Sequence, residues 1–261
     1  MGKLAIDPSG NLYGTTYGPS SLAGCPCGLV FELVKPKAAV AWAERILYRF
    51  GATAGDGAYP GPDLLLRGGI LYGTTVAGGA TGHGTVFQLV RKPGLWTEAI
   101  LYNFSGNAGS YPEGGLIADS AGNLFGTTNY GDGGVCCSAV YELSPPTVTG
   151  DPWLETTIYS FTGGTDGSSP WTGVTRDSTG DLFGTTIRGG KYGNGTVFKL
   201  KPPTTSGGAW TLVVLHSFAG LAGGDGDSSY GTLTWLNGAL YGTTYSGGSV
   251  GSGGTVFSVG P

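Results

Sequence analysis

One five-residue word recurs along the chain and restricts its fold more than any other feature. It reads Leu12-Tyr13-Gly14-Thr15-Thr16, Leu71-Tyr72-Gly73-Thr74-Thr75, Leu124-Phe125-Gly126-Thr127-Thr128, Leu182-Phe183-Gly184-Thr185-Thr186 and Leu240-Tyr241-Gly242-Thr243-Thr244, with its glycines 59, 53, 58 and 58 residues apart. Self-similarity at a long fixed period marks a repeat architecture, in which each unit completes its core only against its neighbours. Three further words keep step with the first. Leu4–Asp7, Leu64–Arg67, Leu116–Asp119, Val174–Asp177 and Leu233–Leu236 precede it, and Val30–Leu33, Val86–Leu89, Val140–Leu143, Val197–Leu200 and Val256–Val259 follow it. The last word, Ile46–Phe50, Ile100–Phe104, Thr157–Phe161 and Val214–Phe218, occurs four times and ends eight residues after Trp42, Trp96, Trp153 and Trp210.

Each unit therefore holds four short β-prone segments, here a, b, c and d, joined by Gly, Pro, Asn, Asp and Ser. No stretch carries a capped helical period. Four antiparallel strands make one propeller blade, and stacking such sheets covers both faces of each. The fold class expected is all-β, a five-bladed β-propeller forming a single domain over 1–261. The repeats run over about 3–50, 51–104, 105–161, 162–218 and 219–261, with an open β-solenoid as the alternative. Segment a is expected innermost and d outermost. The glycine of segment b predicts a bulge or a close backbone approach. The fifth repeat has no segment d, so an unpaired outer edge is expected there. Asp7, Asp119 and Asp177, at equivalent places between a and b, read as turn-capping residues.

Composition supports a folded β chain. Gly numbers 53 of 261 residues, hydrophobic residues make up 39% and charged residues 11%, and the glycines cluster between β-rich words as turns do. The net charge of −4 and the brevity of the pairs Lys35/Lys37, Arg91/Lys92 and Lys199/Lys201 argue against a nucleic-acid partner. No apolar run is long enough for a membrane span, and the first residues lack the apolar region of a signal peptide. The sequence calls for no cofactor.

The combination of Asn11-Leu12-Tyr13-Gly14-Thr15-Thr16, a Gly-rich loop and a word such as Gly195-Thr196-Val197-Phe198-Lys199-Leu200 resembles the GloVer tandem-repeat family of bacterial secreted or surface-anchored proteins. The resemblance covers almost the whole chain. It implies an extracellular or cell-surface protein and brings no catalytic residues with it. Arrays of the family commonly begin with a d-type segment, whereas this chain begins at segment a, so a fragment of a longer array is expected.

The chemistry-bearing residues lie mostly in loops. Cys25, Cys27, Cys136 and Cys137 all precede segment c of their repeats and are disulfide candidates in a secreted setting, with a zinc site less favoured by their spacing. His83 and His216 have no partner at metal-ligand spacing. Gly247-Gly248-Ser249-Val250-Gly251 matches a nucleophile pattern but lacks the strand-to-helix setting that gives it meaning. The loops after segment b and the connections from d to a carry Tyr17, Tyr59, Tyr111, Tyr130, Trp171, Arg188, Tyr192, Tyr230 and Tyr245, a set suited to stacking on sugars. Acids that vary between repeats, Asp56, Glu113, Asp166, Asp225 and Asp227, occupy the d-to-a connections. On these grounds the expected function is a non-catalytic extracellular binding module for a glycan or cell-surface ligand. One alternative is a structural subunit that self-associates through the fifth repeat's edge. The other is a carbohydrate-active enzyme working with the connection acids.

Overall fold

A computed structural model describes residues 2–18, 27–37, 41–106, 109–130, 138–205, 207–249 and 253–261. Among them the regular structure is β apart from one 3-10 turn, Leu221–Gly223. No helix is long and apolar enough to cross a membrane. Contacts divide the chain into two compact units: Met1–Gly106, Ser110–Leu116 and Pro145–Leu154 form one, and Asn107–Gly109, Ile117–Ser144 and Glu155–Pro261 the other.

Repeats one, three and four each make a four-stranded antiparallel meander in the order a-b-c-d. In repeat one these strands are Ala5–Ile6, Leu12–Thr16, Leu29–Val34 and Ala43–Arg49; in repeat four they are Thr175–Arg176, Leu182–Thr186, Thr196–Lys201 and Thr211–Ser217. Repeat two adds Gly57–Pro60, which pairs with the far half of its strand b, Ile70–Gly78. Among the described residues, repeat five has a (Thr234–Leu236), b (Ala239–Thr243) and c (Val256–Val259) in one sheet, and Gly226–Asp227 paired with Ser246–Gly247 in another. These meanders are the blades of the β-propeller fold expected from the sequence.

The recurrent word has a physical cause at each position. The strand-b glycines Gly14, Gly73, Gly126, Gly184 and Gly242 stand opposite Phe31, Phe87, Tyr141, Phe198 and Phe257 of strand c. A Cβ on Gly14, Gly73, Gly184 or Gly242 would lie 2.6, 2.6, 2.5 or 2.4 Å from the Cζ of the facing ring. The close approach is thus that of an aromatic ring laid across the strand. The bulge anticipated in strand b is elsewhere: the register shifts between c and d, at Val30/Phe31, Val86/Phe87 and Val197/Phe198.

The two threonines divide their work. The first reaches forward, as Thr15, Thr74 and Thr127 donate to the carbonyls of Gly61, Gly114 and Thr172 at 2.8, 3.3 and 2.9 Å, tying strand b to the connection that enters the next repeat. The second pairs with a threonine that opens strand c, at 2.8 Å for Thr75–Thr85, 2.9 Å for Thr186–Thr196 and 2.8 Å for Thr244–Thr255.

Aromatic rings close each junction between repeats of one unit. The phenylalanine ending strand d stands edge-on to the strand-c ring of the next repeat: Phe50 to Phe87 at 5.0 Å, Phe161 to Phe198 at 5.2 Å and Phe218 to Phe257 at 5.0 Å. The tryptophan of strand d packs back on the strand-b aromatic of the preceding repeat, Trp96 on Tyr13 and Trp210 on Phe125. Such edge-to-face pairs add about 0.5–1.5 kcal/mol to the burial term.

The ring-over-glycine arrangement predicts that Gly184→Ala overpacks a site with no slack. A loss of about 1–3 kcal/mol is expected from overpacking, read as a lower urea midpoint. Gly253→Ala, whose Cβ would meet nothing within 4 Å, should leave the midpoint in place. Equal midpoints for the two variants would refute the account.

Candidate functional site

Three of the d-to-a connections are built on one plan that their sequences conceal. Asp56 Oδ2 accepts the amides of Gly51 and Ala52 at 2.8 and 3.3 Å and also takes a bond from the Tyr48 hydroxyl. Asp166 accepts the Thr162 amide at 2.8 Å, the Thr162 hydroxyl at 2.6 Å and the Tyr159 hydroxyl at 3.0 Å. Asp225 accepts the Ala219 amide at 3.0 Å, and His216 Nε2–H donates to it at 2.8 Å. His216 thus does the work of the equivalent tyrosines. Burial works against the charge of Asp166 and Asp225, but these donors outweigh it and hold both carboxyls below the usual carboxylate range. They are fixed anions that shape a turn. Asp7, Asp119 and Asp177 hold the a-b hairpins in the same manner, each accepting two amides of its own turn.

The connections then enter the left-handed region at a non-glycine residue: Tyr59, Tyr111, Ser169 and Ser228 have φ of 57, 55, 54 and 56°. Such positions cost on the order of 1–3 kcal/mol and persist only where the surroundings fix them. Three of the four are fixed by an amide that donates to the carbonyl two residues before strand c of the preceding repeat, from Tyr59 to Cys27 at 2.8 Å, Tyr111 to His83 at 3.1 Å and Ser228 to Asn194 at 3.1 Å. His83 therefore serves here through its carbonyl.

These turns bring some of the expected aromatic residues together. In the first unit Tyr17 stacks on Tyr59 with ring centroids 5.2 Å apart and planes 29° apart. Burial raises the Tyr17 hydroxyl, and the charge of nearby Glu113 adds to the rise. In the second unit Trp171, Tyr230 and Tyr245 form a continuous edge-to-face series, with centroids 5.4 and 5.7 Å apart, and Tyr245 is 76% exposed. Tyr192 lies under Lys191 Nζ at 5.0 Å, and Arg188 pairs through its backbone with Ser168 while its side chain is exposed. Tyr111 is exposed and Tyr130 half-buried. Of the cysteines, Cys27 is buried in the core of the first unit; Cys25, Cys136 and Cys137 lie outside the described residues.

One carboxylate pair stands apart from the repeat plan. Glu98, on strand d of repeat two (Leu95–Asn103), lies within electrostatic reach of Asp56. Burial pushes the Glu98 carboxyl up to about 7, and the charge of Asp56 adds to the push. Asp56 Oδ1 and Glu98 Oε1 are both buried with no protein hydrogen-bond partner. Each of these desolvated acceptors lacks a donor, and burial together with the Asp56 charge favours the protonated form of Glu98. Beside the start of the same strand is an open cleft of about 510 Å³ lined by Glu32, Arg45, Arg91, Leu95 and Trp96 among others. The Tyr13 hydroxyl and Arg45 hold Glu32 there, at 3.2 and 3.6 Å.

A family model described as the Gloeobacter/Verrucomicrobia repeat matches residues 1–150 and again 132–261. No curated protein sequence matches the chain. Among solved structures, a GH43 endo-arabinanase from Bacillus licheniformis is similar at 11% identity and a TM-score of 0.43, covering 98% of this chain and 91% of that one. An exo-1,5-α-L-arabinanase from a bovine ruminal metagenomic library gives 9%, 0.46, 98% and 90%, and the β-xylosidase RS223 gives 10%, 0.44, 98% and 90%. Those titles describe those proteins, and the chemistry of this chain is read from its own residues. The expectation of a non-catalytic binding module is nonetheless corrected. It rested on the absence of any catalytic candidate, and the acids Asp56 and Glu98, with buried oxygens and a raised Glu98 carboxyl, are such a candidate.

The pair predicts a pH dependence with a definite sign. Folded Glu98 keeps its proton up to about 7, whereas the ordinary value is 4.5. Between these the unfolded chain binds fewer protons, so this contribution to stability is complete below the lower value and is lost as pH rises through the upper one. Thermal midpoints should fall across that window, and Glu98→Gln should flatten the fall. Parallel profiles for the two proteins would show that Glu98 is not desolvated.

Proposed function

The chain belongs to the Gloeobacter/Verrucomicrobia repeat family, and we propose that it is a carbohydrate-active enzyme in which Glu98 is the proton donor. The observation that carries this reading is the buried pair of Glu98 and Asp56, with Glu98 raised to about 7 and one oxygen of each carboxyl lacking a protein donor. Glycoside hydrolysis is carried out by two carboxyl groups, one of which must stay protonated at working pH to protonate the departing oxygen. Glu98 meets that requirement. Asp56 supplies the second carboxylate, which opposes the positive charge that develops at the anomeric carbon. Its Oδ2 is anchored by Gly51, Ala52 and Tyr48, so Oδ1 is the oxygen left for substrate.

The connection that carries Asp56 also carries Tyr59, whose stack with Tyr17 offers a face for a sugar ring. The edge-to-face series Trp171–Tyr230–Tyr245 is a second such face, placed to grip a glycan rather than to cleave it. A glycan substrate and an extracellular or cell-surface location accord with this reading. Asp166 and Asp225 have no part in the chemistry, because their turns consume them.

Release of reducing sugar from a panel of pentose- and hexose-based polysaccharides tests the proposal. Turnover is expected on at least one polymer. Glu98→Gln should lower kcat by about 10²–10⁴, the usual contribution of a general acid, with KM little changed. Tyr17→Ala should mainly raise KM. Silence across the panel, or full activity in Glu98→Gln, would overturn the assignment.

A further inference from the structure

The open cleft beside Trp96 carries charges that the repeat plan does not call for. One wall is strand d of repeat one, with Arg45; the other is the c–d hairpin of repeat two, with Arg91, Leu95 and Trp96. All of these residues, and Glu32 between them, belong to the first unit. The second unit contains a junction of the same kind, where Trp210 packs on Phe125 as Trp96 packs on Tyr13. There Thr156 takes the place of Arg45, and Pro202 takes that of Arg91. That junction is made without either guanidinium, so packing is not what requires the two arginines.

The lining has a definite chemistry. Arg45 lies 3.6 Å from Glu32, whose side chain is 5% exposed against 59% for Arg45. Most of the Arg45 side chain is therefore open to a ligand. Arg91 is exposed and, among the described residues, has no ion pair. Arg45 and Arg91 against Glu32 leave the cleft with an excess of positive charge. Glu32 accepts the Tyr13 hydroxyl at 3.2 Å and, as a carboxylate with about four lone-pair sites, has capacity for further donors. Leu95 is 65% exposed and offers an apolar surface next to Trp96.

We propose that this cleft binds a uronic-acid residue of a glycan. Arg45 and Arg91 take its carboxylate, Glu32 accepts its hydroxyls, and Leu95 and Trp96 cover its apolar face. The planar fork of arginine matches a carboxylate, and an indole presents an apolar body to a sugar ring. The volume of about 510 Å³ lies within the range of small-ligand sites, about 300–1,000 Å³. A simple anion would leave Glu32 and the apolar wall unused, and a neutral sugar would leave both arginines unused. The site stands on these residues and not on Glu98 as proton donor, so binding tests it and turnover does not.

The test is a calorimetric titration of the full chain with trigalacturonate and with trimannuronate. The methyl ester of each is the reference, because it keeps the sugar and loses the charge. Saturable binding of at least one acid is expected, about 10-fold or more tighter than its ester, as charge-assisted hydrogen bonds imply. Arg91→Gln should weaken the acid by about 10-fold and leave the ester and the thermal midpoint unchanged. Arg45→Gln should weaken the acid in the same way. Lys201→Gln removes an exposed positive charge of the second unit and should change neither affinity. Silence of both acids, equal affinity for acid and ester, or equal effects of Arg91→Gln and Lys201→Gln would overturn the proposal. So would a tetraglutamate peptide that binds as tightly as the sugar acid, which would make the cleft a general anion site.

Discussion

The structure depends on an aromatic ring laid flat across a glycine. Phe31, Phe87, Phe198 and Phe257 cross Gly14, Gly73, Gly184 and Gly242 with no space for a methyl group. With the ring held there, its edge is open to a phenylalanine from the preceding repeat, as in Phe50 on Phe87 and Phe218 on Phe257. Intra-sheet register and inter-repeat packing are therefore set by the same side chain. This explains why the word containing the glycine is so uniform while the loops around it differ. Any change at the glycine displaces a ring on which two repeats rely, and packed interiors transmit such displacements.

The loops inherit their geometry from this core. Strand b ends in two threonines with separate partners, one across the hairpin and one in the next connection. The connection is held at both ends, by the aspartate that ties its start and by the left-handed residue whose amide reaches back before strand c. Tyr59, Tyr111, Trp171 and Tyr230 stand at the left-handed residue or two positions after it, as aromatic groups on a backbone fixed by hydrogen bonds. Fixing the backbone in advance lowers the ordering cost of engaging a ligand.

The strands, their order and the hairpin aspartates were legible in the sequence because each is written in words that recur in step. The connections were harder to read. Asp56, Asp166 and Asp225 follow their phenylalanines by six, five and seven residues, so a single structural role looks like three unrelated acids. His216 in the place of a tyrosine concealed the third instance further. Glu98 was hidden in the opposite manner. Glutamate stands two residues after the tryptophan in repeats one to three, as Glu44, Glu98 and Glu155, and looks like periodic decoration. Its distinction is the nearby charge of Asp56 and its own burial, whereas Leu212 occupies the matching place in repeat four. Desolvation and the approach of two acids from opposite ends of one repeat are not written in either segment alone.

Repeats four and five meet through a ring that the recurrent words do not foretell. Trp235 stands where the other repeats have Ile6, Leu66, Ala118 and Arg176, and it lies edge-on to Phe183 of strand b in repeat four at 5.1 Å. At two other junctions the strand-b ring is met instead by the tryptophan of the following strand d, as in Trp96 on Tyr13 and Trp210 on Phe125. The same apolar contact is thus made from strand a in one junction and from strand d in two others, while the phenylalanine that ends strand d keeps its place on the next strand c, as in Phe218 on Phe257. Edge-to-face packing fixes the position of the partner ring and leaves open which strand supplies it.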